Sequence, residues 1–478
     1  MSSAVNDSTV SPRLEMAGRP DGLVRQGGRR RARGERDALA LVLRLVRSGG
    51  ASTRQEIETL SGLSRAVVAD RIGSLLGRGL LEEGELRAST GGRSPRQVHF
   101  RSTAGYLLAG AVGTTTLGVG LTDLSGRLLA EHHEPRDATL GPQRVLDRVA
   151  TLFEWLLEEH PQAQDVWGVG LALPGPVRLP GGRLSARSAE QQVPGWQDHP
   201  VAQRLAERLG ISVYLDNEVH LMALGELHAG RGVGGDDLLF VKLGTGIGAA
   251  LCTGGQVHRG ANGYAGDIGH LVVSMDSGTI CRCGNTGCLE ALAGGAAIAR
   301  EATAAAGGGR SSILADVLTA RGNVTAVDVG TAAHRGDPFS IELLAHCGRL
   351  VGGVLATLVN GNNPSLVVVG GGVAQAGEVL LAAIRDAIYR GSRSLATQNV
   401  QVVRAEMGKT ATLVGASLAV SDELFSWEYL RQWIDHGAPT RVSVSVEGHR
   451  TRSGSNRSRA ETPELAAPAG SSAAEGGR

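Results

Sequence analysis

Three of the chain's five cysteines fall within eight residues of one another, in the stretch GHLVVSMDSGTICRCGNTGCLE from Gly269 to Glu290, and a histidine lies eleven residues ahead of them. Zinc takes four nitrogen or sulfur ligands in a tetrahedron, and His270, Cys281, Cys283 and Cys288 supply that number and kind. Glycines at 284 and 287 let a short loop curl around an ion. A disulfide fits less well, because Cys281 and Cys283 are too close to bridge comfortably and three thiols leave one unpaired. With all four positions filled by protein groups, such a Zn2+ site is structural and offers no open position for a hydrolytic water. Any fold for this chain must close a loop over residues 270–288.

The pattern CxCGxxGCxE after a Gly-His pair resembles the signature of the ROK family of repressors and sugar kinases. The resemblance runs from about Arg36 to Asp422. It implies a zinc loop that holds a sugar pocket, with the metal-binding histidine also facing the sugar. One departure sits in the motif itself, where the interval from histidine to cysteine is a residue longer than usual.

At 478 residues the chain is long enough for several domains. Its net charge is only +1, but residues 1–101 carry 18 arginines against 11 acidic groups, a net +7 that leaves −6 for the remainder. An anionic partner would bind at the basic end. Lys242 and Lys409 are the only lysines. No apolar run approaches the roughly 20 residues of a bilayer crossing, and the first 30 residues lack a signal peptide's apolar core, so a cytoplasmic protein without membrane contact is expected. Cys252 and Cys347 read as small buried apolar residues.

Residues 1–34 read as a disordered basic arm. From Arg36 to Arg47, Leu39, Leu41, Val42, Leu45 and Val46 recur at helical spacing and predict an amphipathic helix ending at Gly49-Gly50. Ser52 or Thr53 caps a second helix through Leu60, and Ser64 caps a third to about Gly77 after the SGLS turn. Val67, Val68, Ile72, Leu75 and Leu76 would face inward, with Arg65, Ala69, Asp70 and Arg71 outward. Leu80-Leu81 and Gln97–Phe100 then read as strands flanking a loop, which gives a winged helix-turn-helix over 35–101. In such a unit the start of the third helix enters the major groove, so Ser64, Arg65 and Arg71 are candidate DNA contacts. TGGR at 90–93 resembles the wing of ROK repressors, and Arg93 would suit a narrow minor groove. The plainer alternative is an oligomerisation cap with a solvated hairpin.

Beyond Ser102 the pattern turns α/β. LLAGAVGTTTLGVGLTDLSG and, about 130 residues later, LLFVKLGTGIGAALCTGGQV share an order of strand, Gly-Thr turn, strand and turn. Duplication of this kind suggests two lobes around a cleft, the architecture of the actin-like ATPases and sugar kinases that ROK proteins resemble. Lobe 1 is expected over 104–235, with a helix at 411–422 packing back on it. Lobe 2 is expected over 236–410 and a disordered tail over 437–478.

The resemblance also implies where sugar and phosphate would sit. The kinases' first phosphate loop reads DxGGT, and the matching run here is Ala111, Val112, Gly113, Thr114 and Thr115, without the aspartate that helps hold magnesium. The family's catalytic base is the second aspartate of a DND or END segment. Here the segment is Asp216-Asn217-Glu218, and a base one methylene longer is misplaced by enough to cost on the order of 100-fold in rate. No catalytic residue is therefore assigned, Glu218 being a degenerate base position. The sugar-facing set is Gln192, Asn217, Glu218, Asp267, His270 and Glu290, of which Gln192, Glu218 and Asp267 depart from the family's residues.

These readings together predict a DNA-binding regulator, a repressor of carbohydrate-related genes, that is not an enzyme. The kinase fold would serve as a sugar or sugar-phosphate sensor, or persist as a vestigial pocket, and as the module of a homodimer or homotetramer reading a palindromic operator. The alternative is an ATP-dependent sugar kinase with an N-terminal appendage, supported by GTGIG at 244–248 and GGG at 370–372.

Overall fold

The computed structural model describes residues 34–86, 96–137, 140–184, 190–191, 195–197 and 199–439. The expected arm, nearly all of the expected tail, Arg93 and Gln192 lie outside the described residues. Helix α1 (Glu35–Arg47) buries Leu39, Val42, Leu43 and Val46. Thr53 rather than Ser52 caps α2 (Arg54–Ser61), in a reciprocal box with Glu56. Gly62 ends α2 in the left-handed region, and Ser64 caps α3 (Arg65–Gly77). Val68, Ile72 and Leu75 are fully buried on α3, whereas Val67 and Leu76, expected inside, are half-buried. Strand β1 (Leu81–Leu86) runs antiparallel to β2 (Arg96–Phe100), and a bridge from Thr53 to Gln97 ties the hairpin to the α1–α2 connection. β1 outruns the Leu80-Leu81 strand expected because its exposed acidic residues, Glu82 and Glu83, read as loop.

The first α/β unit contains β3 (Tyr106–Val112), β4 (Thr116–Asp123), β5 (Leu128–Pro135), α4 (Pro142–Glu159) and β6 (Val166–Leu173). A short pair, β7 (Val177–Arg178) with β8 (Glu190–Gln191), precedes α5 (Val201–Leu209), β9 (Val213–Asn217) and α6 (Glu218–Ala229). Its sheet has the order β5-β4-β3-β6-β9. The second unit begins with β10 (Leu238–Leu243), β11 (Ile247–Thr253) and β12 (Gln256–His258), then α7 (Leu289–Ala293), α8 (Gly295–Gly307), α9 (Ser312–Arg321), α10 (Ala326–His334) and α11 (Pro338–Asn362). It continues with β13 (Leu366–Gly370), α12 (Glu378–Gly391), α13 (Ser394–Thr397) and β14 (Gln401–Arg404), and its sheet order is β12-β11-β10-β13-β14. Each sheet thus has two antiparallel pairings followed by two parallel ones. The internal repeat read in the sequence is a repeat of topology.

One face of the first sheet packs on α4 and α5, and one face of the second packs on α8 to α12. Between the two sheets lie α6 and α14 (Thr410–Leu424). These helices cross so closely that a methyl group on Gly415 would sit 1.8 Å from the Leu221 carbonyl oxygen, and one on Gly225 2.1 Å from that of Ala411. α14 also lies against β3 and β6. The helical region expected over 296–348 is broken at its glycines into α8, α9 and α10, and α11 runs on to Asn362. α11 is 25 residues long and, with a mean hydropathy of 1.4, apolar enough to cross a membrane, which the sequence reading did not anticipate. Leu344, Cys347, Val351, Leu355 and Val359 place its buried face in the core of the second unit.

Helix α15 (Trp427–Trp433), unanticipated from sequence, returns to the N-terminal helices. Arg47 donates to Asp422 at 2.8 Å and lies over the Phe425 ring at 4.7 Å, Arg431 pairs with Asp37 at 2.6 Å, and Arg36 pairs with Asp435. Beneath these pairs, Phe425 meets Phe100 edge-on at 5.2 Å and Trp433 meets Trp167 at 5.3 Å. The N-terminal helices, β6 and the C-terminal helices thereby share one hydrophobic core.

Candidate functional site

Residues 271–289 form a knuckle closed by two antiparallel bridges, Val272 with Cys288 and Ile280 with Thr286. Gly287 has φ +76°, and a methyl group there would sit 1.7 Å from the Ser274 carbonyl oxygen, so only glycine fits. The knuckle brings the four expected ligands together. Cys281 Sγ is 3.5 Å from His270 Nδ1, Cys283 Sγ is 3.6 Å from Cys288 Sγ, and all four donor atoms lie within 4.8 Å of one another. Bonds of about 2.0–2.3 Å in a tetrahedron set donor separations of about 3.3–3.8 Å, so the set fits a zinc-sized ion. The extra residue between His270 and Cys281 is absorbed without loss of convergence. Backbone hydrogen bonding at Asn285 draws the exposed Cys283 thiol below its ordinary value, while burial and its thiol neighbours push Cys288 up to about 12. A divalent cation removes that conflict by favouring every thiolate at once. Burial pushes Cys252 and Cys347 up to about 12 as well, as suits inert core thiols.

Two of the residues expected at the sugar, Asn217 and Glu218, stand at the start of α6. Asn217 caps that helix, its Oδ1 accepting from the Val219 N–H at 2.7 Å and its Nδ2 donating to the Gly175 carbonyl at 2.6 Å. Glu218 is paired with Lys242 Nζ, from β10 of the other unit. Glu290 Oε2 accepts from the Ile247 N–H at 3.0 Å, and its Oε1 lies 2.8 Å from Arg282 Nε. Asp267 is exposed and opens the short 3-10 turn Ile268–His270.

Sequence reasoning missed what fastens Asp267's loop to α6. Asp216 is buried and accepts from Arg259 Nε at 2.9 Å. The buried His220 ring has Nδ1 3.3 Å from Asp216 Oδ1 and Nε2 2.8 Å from the Ala265 carbonyl. Burial would raise the Asp216 pKa, but Arg259 and His220 hold it at about 2. Lys242 and Arg282 were missed too, although one of only two lysines was a signal available in the sequence.

At the two Gly-Thr turns, Ala111 is the penultimate residue of β3, and Thr114 Oγ1 lies 3.3 Å from Thr245 Oγ1, so the turns touch. Arg136 Nη1 donates to the Gly113 carbonyl at 2.7 Å behind them. The ROK family model matches residues 108–423.

The chain belongs to the ROK family.

A glucokinase of Halalkalibacterium halodurans is 31% identical over 66% of this chain and 95% of that enzyme. The DNA-binding transcriptional dual regulator NagC of Escherichia coli K12 is 28% identical over 83% of this chain and 95% of the regulator. A crystal structure described as a ROK family transcriptional regulator, a homologue of E. coli MLC, superposes with a TM-score of 0.68 at 24% identity, covering 83% of this chain and 99% of that one, a likeness of fold. ROK proteins thus include both kinases and regulators, and this chain has the N-terminal helices in addition to the shared domain.

On those helices Ser64 is spent as the α3 cap and Arg65 is exposed at the first turn. Arg71, expected to look outward, keeps only 17% of its side chain exposed, and its Nη1 donates to Asp70 at 2.8 Å. This pairing offsets the charge of Asp70, which would otherwise repel a phosphate.

Proposed function

We propose that this ROK protein is a DNA-binding transcriptional regulator, a repressor of carbohydrate-related genes, whose two-lobed domain senses a sugar instead of phosphorylating it. Residues 35–101 act as a winged helix-turn-helix, with Arg65 at the major groove and Ser64 supporting it. The observation that carries the reading is Glu218. The side chain at the kinase's base position is bound to Lys242 Nζ and so is not free to take a sugar proton. Ala111 leaves nothing at its position to hold a magnesium ion through water, and the contact of Thr114 with Thr245 fills the space between the turns. The NagC match covers 83% of the chain against 66% for the glucokinase, which supports the same reading.

His270, Cys281, Cys283 and Cys288 would hold Zn2+ in a structural role. The ion would fix the knuckle, and with it Arg282 and Glu290, at the cleft wall. Asn217, Glu218, Asp267, His270 and Glu290 would face the sugar, with Gln192 completing the set. A two-fold homodimer or homotetramer would read a palindromic operator with half-sites about one or two helical turns apart.

Selection of bound sequences from random duplexes at moderate salt tests the reading, and failure to enrich any motif would count heavily against it. One observation favours a sugar kinase instead, the GTGIG turn at 244–248 in a chain 31% identical to a glucokinase. A coupled ADP-release assay across hexoses and amino sugars separates the two, since turnover abolished by Glu218→Ala would establish the kinase.

A further inference from the structure

The protein's charge is divided by position. Residues 102–439 carry a net −8, whereas residues 440–460, TRVSVSVEGHRTRSGSNRSRA, carry five arginines against Glu447, a net +4. Residues 35–101 carry only +3, and four of their arginines are already engaged, Arg36 with Asp435, Arg47 with Asp422, Arg71 with Asp70 and Arg96 with Glu83. The fold delivers the basic C-terminal segment to these same helices. After α15 a 3-10 turn, Ile434–His436, is held to α1 through the Arg36–Asp435 pair. Gly437 then turns with φ +78°, and a methyl group on it would lie 3.5 Å from Cβ of Arg78, the residue that caps the C-terminus of α3. Chain continuity therefore starts residues 440–460 beside the end of the helix read as entering the major groove.

A protein that neutralises about six to ten phosphates of a duplex needs more spare cations than residues 35–101 supply. The 13 residues of α3 span about 20 Å, and the 11 residues from Pro439 to Arg450 reach up to about 36 Å when extended. Arg450, Arg452, Arg457 and Arg459 can thus meet phosphates beyond those that α3 covers. The carboxylates around the root of the segment, Asp37, Asp422 and Asp435, are taken by Arg431, Arg47 and Arg36, so its guanidiniums are left for an external anion. Residues 440–478 contain no Phe, Trp or Tyr, which suits neither anchoring in a membrane interface nor stacking on the bases of a single strand. We propose that residues 441–459 are a second DNA-binding element, whose arginines lie on duplex phosphates flanking the site that α3 contacts. The proposal rests on the reading of residues 35–101 as a DNA-binding domain. Phosphate contacts of this kind add affinity without base preference, and they offset the repulsion of DNA by the acidic body.

Competition binding to an operator recovered by selection, from about 50 to about 200 mM salt, tests it with three proteins. They are the full chain, a chain ending at Pro439, and a full chain carrying Arg441→Gln, Arg450→Gln, Arg452→Gln, Arg457→Gln and Arg459→Gln. Each phosphate contact adds about 0.9 to the slope of log affinity against log salt, so both variants should lose about 3–5 from that slope. Both should also bind about tenfold or more weakly at the low-salt end, with the preferred base sequence unchanged and thermal unfolding confirming that they fold. A slope kept by either variant would overturn the proposal, while operator binding by the full chain leaves the DNA-binding reading standing. Tighter binding after truncation would overturn it too, by placing the segment on the acidic body instead. So would a segment needed for binding to vesicles of anionic lipid but not to the operator. No operator binding by the full chain would overturn the DNA-binding reading and the proposal together.

Discussion

Asp216 shows how one buried carboxylate ties two parts of the molecule together. Its ordinary value of 3.8 is drawn down to about 2 in the fold, against burial, by Arg259 and His220. A depressed carboxylate contributes stability that is present above its unfolded pKa and lost as pH falls through the folded one. Asp216→Asn should therefore melt below the parent at neutral pH, with the gap narrowing as pH drops from about 4 to about 2. Thermal melts across that range check it, and a gap independent of pH would refute the assignment. At the metal knuckle, Cys283→Ser should lose the ion, which elemental analysis reads directly. A metal-free parent that stays folded would refute a zinc role. On the DNA face, Arg65→Ala should cost about 1–3 kcal/mol of operator affinity and relax the preference at one base pair, measurable by competition binding. The clustering of His270, Cys281, Cys283 and Cys288 was legible in the sequence because metal chemistry restricts residue type and spacing. Lys242 and Arg259 were not, because an ion pair between residues 24 or 43 positions apart leaves no local pattern.

Helices are legible when one face is wet. α1 and α3 showed their period, whereas α6 was missed because every residue from Val219 to Leu227 is buried, which erases the alternation of wet and dry faces. The same burial makes the α6–α14 crossing intolerant. Gly415→Ala would drive a methyl group into the Leu221 carbonyl and force the helices apart, at a cost of about 1–3 kcal/mol or more, read as a lower midpoint of denaturant unfolding. α15 was missed for another reason. Its seven residues, WEYLRQW, are too few for a periodic signal, and their meaning lies in Phe100, Trp167 and α1. Trp433 is 2% exposed, and its indole N–H donates to the Leu424 carbonyl at 3.0 Å. Trp433→Ala should cost about 3–5 kcal/mol.

For the whole molecule, the two-lobed plan was legible through its duplication, and the attachment of the N-terminal helices was not. Arg36 and Arg47 count toward the net charge that suggested a DNA-facing end, yet they are spent on Asp435 and Asp422. The helices are thus held to β6 by a shared aromatic core rather than hung from a linker, so the proposed effector would act through the relation of the lobes. Linkage then requires reciprocity, and a cognate ligand should show a different dissociation constant when operator is present. Equal affinities in the two titrations would refute coupling. The clasp between α1 and α15 also bears on how the protein is made. Its partners Arg36 and Asp435 stand 399 positions apart. At about 5–20 residues per second, a ribosome needs roughly 20–80 seconds to emit the second after the first. For all of that time the first-made helices wait without their lid, with the surface around Phe100 uncovered. Ribosome-bound chains stalled before Trp427 should be cleaved by protease in α1, while released full-length chains resist.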